Sequence, residues 1–141
     1  MSSKGVFITI EGPDGAGKTT QAQLLAEHLS SLGYDVVRAR EPGGTPIGMH
    51  IRDIILDLKA SAMSPMAEFL LYAADRAQDV NEVILPALKA GRVVIGERFT
   101  DSSIAYQGYG LGLSIEDIRT VNRIATGGLV PDLTILLDID P

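Results

Sequence analysis

The stretch Gly12-Pro13-Asp14-Gly15-Ala16-Gly17-Lys18-Thr19 fits the phosphate-loop pattern G-x-x-x-x-G-K-[ST] at every fixed position, and Thr20 follows it. Its flanks suit that reading. Val6-Phe7-Ile8-Thr9-Ile10 is a short apolar, β-rich run. From Gln21 to Leu32 the apolar residues Ala22, Leu25, Leu29 and Leu32 recur at helical spacing, and Gly33 supplies a stop. Glycines let the backbone curl so that successive N–H groups point at phosphate oxygens, and the following helix adds its positive N-terminal end. Lys18 is placed to reach the β- and γ-phosphates, and the Thr19 hydroxyl to ligate Mg²⁺. The stretch Gly12 to Thr20 therefore reads as a nucleoside-triphosphate site.

The remaining composition narrows the class. A chain of 141 residues suits a single domain over residues 1–141. A formal net charge of −6 gives no basic field for nucleic acid or an anionic membrane, so any bound anion must be held by local donors. Without cysteine there are no disulfides or thiolate metal sites. Val6–Ile10 is too short for a signal core or membrane span, and the expectation is a soluble, cytoplasmic protein.

Along the chain, apolar strands alternate with helical patterns, the signature of an α/β fold with a parallel sheet covered by helices on both faces. Tyr34 to Ala39 reads as a second strand. Ile47, Ile51, Ile54, Ile55 and Leu58 form a helical stripe with Arg52 off it. Ser64-Pro65 opens a helical pattern running to Ala90, with Pro86 as a candidate kink. Val93-Val94-Ile95 is a short, fully apolar strand suited to the sheet centre. Ser114-Ile115-Glu116-Asp117 resembles a capping box for a helix that stops at Gly127-Gly128, and Leu133–Ile139 reads as a fourth strand. Asp138, Asp140 and Pro141 follow at the edge where such folds bind ligands, so the chain reads as C-terminally truncated.

A phosphate loop does not by itself separate kinases from GTPases, ATPases or regulatory binders. Three clusters add information. Arg40-Glu41-Pro42-Gly43-Gly44-Thr45 follows the second strand and belongs at the same sheet edge, either as part of the site or as a tight turn. Tyr72 and Arg76 share a helix face, suited to stacking on and hydrogen-bonding a nucleobase, or to core packing and a surface ion pair. Glu97-Arg98-Phe99 leaves a buried strand where a triphosphatase holds Mg²⁺, usually through water, and the arginine suits a second phosphate; the alternative is a strand-end ion pair. Ser102, Ser103, Tyr106 and Gln107 are polar enough to read a base edge and sugar. No Asn-Lys-x-Asp motif supports a GTPase.

The whole set resembles the bacterial thymidylate kinases, which make dTDP from dTMP. The resemblance rests on Ile10 to Thr20, Arg40 to Thr45, Leu71-Tyr72-Ala73-Ala74-Asp75-Arg76, Arg98 to Ser103, Ala105 to Gly110 and Gly128 to Thr134, spread over essentially the whole chain. It implies a P-loop NTPase-like sheet, ATP as phosphoryl donor, Mg²⁺ and a homodimer. By position it gives the loop from Gly12 through Pro13, Asp14, Gly15, Ala16, Gly17 and Lys18 to Thr19 and Thr20 the ATP phosphates. Asp14 would also lie near the 3′-hydroxyl of dTMP, and Arg98 and Arg52 would hold its phosphate. Tyr72 would stack on thymine, and Arg76, Ser103 and Gln107 would read the base. Tyr106 would crowd the 2′ position, and Glu41–Pro42 would be a cis bond beside the acceptor. Lys18, Arg98 and Asp14 would be the catalytic residues, with Thr19 and Glu97 toward the metal.

Two departures from the family pattern stand out. Glu97 occupies a position that is usually Asp, moving the carboxylate by about one carbon–carbon bond. The segment that carries the lid arginines, a fifth strand and the adenine-binding loop in relatives is not in this sequence. The chain is therefore expected to bind dTMP better than it turns it over. The competing readings are a kinase for another nucleoside monophosphate and a catalytically inert nucleotide-binding fragment.

Overall fold

The β-rich runs form four parallel strands in the order β2-β3-β1-β4: β1 Val6–Glu11, β2 Val36–Arg40, β3 Val93–Glu97 and β4 Leu133–Leu136. The structure is a computed structural model and describes residues 4–57 and 62–140. Leu58 and Pro141, named above, lie outside those residues. Helices α1 Lys18–Ser31, α2 Pro46–Leu56, α3 Pro65–Asp79, α4 Leu85–Lys89, α5 Thr100–Ser103 and α6 Ile115–Thr126 connect the strands. This is the expected α/β arrangement.

Two apolar clusters explain why the sheet is covered on both sides. Phe7, Val94 and Phe99 pack with Val80, Ile84 and Ala87 in one. Ile10, Val93 and Ile95 pack with Ala22, Leu25 and Leu29 of α1 in the other. Period-2 alternation then fixes the faces of the strand ends. Glu11 lies on the side of Phe7 and Thr9, whereas Glu97 lies on the side of Val93 and Ile95. The two glutamates close neighbouring strands yet point to opposite faces.

Element boundaries depart from the sequence reading where local patterns meet tertiary constraints. Strand β2 starts at Val36, and Tyr34 is left exposed after the turn that closes α1. Leu32 caps α1 rather than packing in its stripe. On α2, Ile47 and Ile54 of the expected stripe remain about half exposed. β4 ends at Leu136, although the Leu137 N–H still donates to the Glu11 carbonyl.

The pattern from Pro65 to Ala90 is three pieces. A π-helical segment, Val80–Ile84, separates α3 from α4. Pro86 has no N–H and its ring crowds the carbonyl four residues back, so the turn before it widens, and the Leu85 N–H bonds the Val80 carbonyl. A second π-helical segment, Ile104–Gly110, follows α5 and carries Tyr106 and Gln107. The cap readings hold: Ser64 and Ser114 accept from the N–H groups of Ala67 and Asp117, and Gly127 closes α6 with φ 63°.

Adjacent strands β1 and β3 send their connections in opposite directions across the sheet, to β2 and β4 respectively. That switch opens a crevice at their C-terminal ends, where ligands of such sheets bind.

Candidate active site at the sheet edge

One side of the crevice is the phosphate loop. Gly17 is the N-cap of α1 in the left-handed region, φ 92°, which a side chain disfavours. At Gly12 a Cβ would come within 2.8 Å of the Leu137 carbonyl, so the loop runs too close to the residue that follows β4 for any side chain. Among the described residues, the N–H groups of Gly15, Gly17, Lys18, Thr19 and Thr20 have no protein acceptor. They form a concave set of free donors at a helix N-terminus. Lys18 folds over the loop and donates to the carbonyls of Gly12 at 3.0 Å and Pro13 at 2.7 Å. Partial burial lowers its pKa, and the Arg98 charge adds to the effect.

Glu97 reaches this side from below. Its carboxylate accepts from the Thr19 hydroxyl at 2.5 Å and from Arg38 at 3.2 Å. The longer side chain thus still brings a carboxylate oxygen against Thr19. Among the described residues no three acidic, His or Cys side chains gather as a metal site. A hard cation here would need further oxygens from outside the protein.

The other side is a buried network around Arg76, which is only 1% exposed. Its Nε donates to Glu41 at 2.9 Å, one terminal nitrogen to Ser103 at 3.1 Å and Asn122 at 2.6 Å, and the other to the Phe99 carbonyl at 2.9 Å. Four of the five guanidinium N–H bonds are thereby used within the protein. The resemblance implies that Arg76 reads a base; in the fold four of its N–H groups hold Glu41, Ser103, Phe99 and α6 together, with one left over. The Glu41–Pro42 bond is cis, as the resemblance implied.

Buried acids crowd this network. Arg76 is the one buried cation among the described residues, against Glu41, Asp75 and Asp79. Burial pushes Glu41 up to about 8 against the pull of Arg76, and it pushes Asp79 up to about 7. Asp75 is raised for the same reason, while accepting from the Gly43 N–H at 3.0 Å. Among the described residues neither oxygen of Asp79 has a donor.

Arg98 joins the two sides. It is the one non-glycine residue with positive φ, 65°, among the described residues. That turn sends its side chain back over the crevice, where it meets Asp14 at 2.6 Å and Ser102 at 3.3 Å and lies 5.1 Å from the Tyr106 ring centre. Asp14 is 94% exposed, so this ion pair is screened and free to exchange partners. Arg52 donates to the Pro42 carbonyl at 3.0 Å, and Tyr72 is half-buried nearby.

A single cavity of about 610 Å³ runs between the two sides. It gathers Asp14, Gly15, Lys18, Thr19, Thr20, Gly17, Glu41, Pro42, Arg52, Tyr72, Arg76, Glu97, Arg98, Ser103, Tyr106 and Gln107. Of the residues singled out from the sequence, Gly12, Pro13 and Ala16 belong to the loop without lining the cavity. Sequence reasoning missed Glu11, Asn122, Asp79 and the Arg38 contact. Asn122 had a signal: with Ile118 and Thr126 it falls at four-residue spacing on the buried face of α6, and a polar residue there needs a partner. Asp75 and Asp79 likewise extend the Tyr72–Arg76 face of α3.

The family model for thymidylate kinase matches residues 10–141. The chain belongs to the thymidylate kinase family. It is 60% identical over 135 residues to a thymidylate kinase of Exiguobacterium sibiricum, covering 96% of this chain and 64% of that protein. It is 58% identical over 137 residues to a thymidylate kinase of Pelotomaculum thermopropionicum, covering 97% of this chain and 63% of that one. The chain thus spans a little under two thirds of these relatives' lengths. The crystal structure of thymidylate kinase from Ehrlichia chaffeensis superposes with a TM-score of 0.92 at 41% identity, over 97% of this chain and 78% of that one. The fold is that of the P-loop NTPases. Among the described residues no helix is long and apolar enough to cross a membrane.

Proposed function

We propose that this chain comes from an enzyme that transfers the γ-phosphoryl group of ATP to dTMP, giving dTDP and ADP on the way to dTTP. The observation that carries this reading is the single cavity joining the free N–H groups of the phosphate loop to Arg98, Tyr72 and Gln107. Such a cavity suits two phosphorylated ligands meeting end to end.

The loop N–H groups and Lys18 would hold the ATP phosphates. Mg²⁺ would be held by Thr19 and Glu97 together with phosphate oxygens, and the fit rests on the two side-chain oxygens meeting at 2.5 Å. It would supply charge neutralisation on the β- and γ-phosphates. Arg98 and Arg52 would hold the dTMP phosphate, Tyr72 would stack on thymine, and Ser103, Gln107 and the free Arg76 N–H would read its edge. Tyr106 would crowd the 2′ position and Asp14 would sit near the 3′-hydroxyl.

In the reaction an oxygen of the dTMP phosphate attacks the γ-phosphorus in line, and the bond to the β–γ bridging oxygen breaks, releasing ADP. The attacking oxygen is already anionic near neutral pH, so no general base is required. Positioning and charge neutralisation by Lys18 and Arg98 then supply the catalysis. A cytoplasmic setting suits this reaction. The exposed Ile47, Ile54, Met66 and Leu70 of α2 and α3 support a homodimer through that face.

The test is calorimetric titration of the folded chain with dTMP, with dCMP as control and circular dichroism to confirm folding. Selective binding of dTMP is expected. A folded chain that binds dCMP equally well, or neither nucleotide, contradicts the thymine assignment.

A further inference from the structure

The corner after β3 has to hold Arg98 against its own backbone preference. A non-glycine residue in the left-handed region persists only where the surroundings fix it. On the N-terminal side, the Arg98 N–H donates to the Ile10 carbonyl at 3.0 Å. On the C-terminal side the Phe99 carbonyl accepts from Arg76 at 2.9 Å and from the Ser102 N–H at 3.2 Å. The Phe99 N–H and the Ser102 hydroxyl both go to one carboxylate. Glu11, 5% exposed, accepts from the Phe99 N–H at 2.6 Å with one oxygen and from the Ser102 hydroxyl at 2.5 Å with the other.

The Ser102 bond has a direction that matters. A carboxylate can only accept, so the serine proton is committed to Glu11. The Ser102 oxygen is then left as an acceptor, and it takes the Arg98 terminal N–H at 3.3 Å. Glu11 therefore acts on Arg98 twice, through the backbone turn and through the orientation of a hydroxyl. It reaches both because period-2 alternation places it on the Phe7 side of β1, opposite the face Glu97 uses.

The geometry points to Glu11 as a positioning residue that aims Arg98 at the acceptor phosphate. It touches neither substrate, and it lies outside the cavity lining. This inference rests on the thymidylate reading given above.

The test compares thymidine with dTMP, because the ratio of their affinities isolates the phosphate contact from the base contact. Glu11→Gln keeps an acceptor for the Phe99 N–H but offers the Ser102 hydroxyl an N–H instead. The serine proton is then released toward Arg98, donor against donor. The dTMP affinity is expected to fall about tenfold, while thymidine affinity stays within about twofold. Arg98→Ala sets the scale, and the double variant Glu11→Gln/Arg98→Ala is expected to lose no more than Arg98→Ala alone.

Should Glu11→Gln fail to fold, Ser102→Ala reads the same relay and is expected to lower the dTMP-to-thymidine ratio. A folded Glu11→Gln chain with the unaltered ratio, additive losses in the double variant, or equal loss for both ligands overturns the proposal. Parent chain that binds neither ligand, or binds both equally, instead overturns the acceptor-site reading beneath it.

Discussion

The two sides of the crevice are built by different means. The phosphate loop is one contiguous segment in which the N–H groups of Gly15, Gly17, Lys18, Thr19 and Thr20 have no acceptor among the described residues. The Arg76 network is the reverse: Glu41, Arg76, Phe99, Ser103 and Asn122 come from separate parts of the chain, and four of the five Arg76 N–H groups are used within the protein. The first is a surface left open for a ligand. The second is a buried polar core that shapes the pocket while holding elements together. Removing a residue should therefore cost ligand affinity on one side and folding on the other.

The largest expected effect is on the buried side. Arg76→Ala leaves Glu41 buried and unpaired and is expected to destabilise the fold by about 3–5 kcal/mol, read from the urea midpoint. Arg76→Lys should not restore it, because an ammonium cannot reach acceptors set around a planar fork.

Asp79 gives the next test through pH. Its folded pKa is raised from 3.8 to about 7, chiefly by burial, so the folded state keeps a proton that the unfolded chain releases. The resulting stability is complete below about pH 4 and is lost as pH rises through 7. Thermal unfolding followed between pH 5 and 8 should show a falling midpoint. Asp79→Asn should reduce that fall, leaving the part that the raised Glu41 contributes, and should leave the variant the more stable at pH 8.

Asn122→Leu removes one acceptor from Arg76 and is expected to cost about 1–3 kcal/mol in the same urea experiment. The smallest effect on folding is expected for Lys18→Ala, within about 0.5 kcal/mol of the parent chain. Its ATP affinity should nevertheless fall in calorimetric titration. A large loss of stability at Lys18 would erase the contrast between the two sides.

The same contrast explains what could be read in the sequence. The phosphate loop, the strand alternation and the Ser64 and Ser114 caps depend on neighbours within a few residues, and each appears in the fold near its expected place. Pro86 announced a break, but whether it would kink the helix or widen a turn depended on packing of Val80 and Ile84 against the sheet. The pocket residues Tyr72, Arg76, Ser103 and Gln107 were legible through resemblance and do gather in one cavity. Their bonding was not legible. That Arg76 would use most of its donors on the protein depends on Asn122, 46 positions away. Glu11 and Glu97 look alike as strand-end acids, and only the strand register separates the sealed one from the one facing Thr19.

Native-state amide hydrogen exchange tests the central contrast most directly, because it reads each N–H in the unaltered chain. The amides of Phe99 and Gly43, bonded to the Glu11 and Asp75 carboxylates, should exchange only with global unfolding. Those of Gly15, Gly17, Lys18, Thr19 and Thr20 should exchange close to the unprotected rate and become protected when ATP is added. Loop amides already protected without nucleotide, or Phe99 and Gly43 exchanging as fast as the loop, would contradict the account.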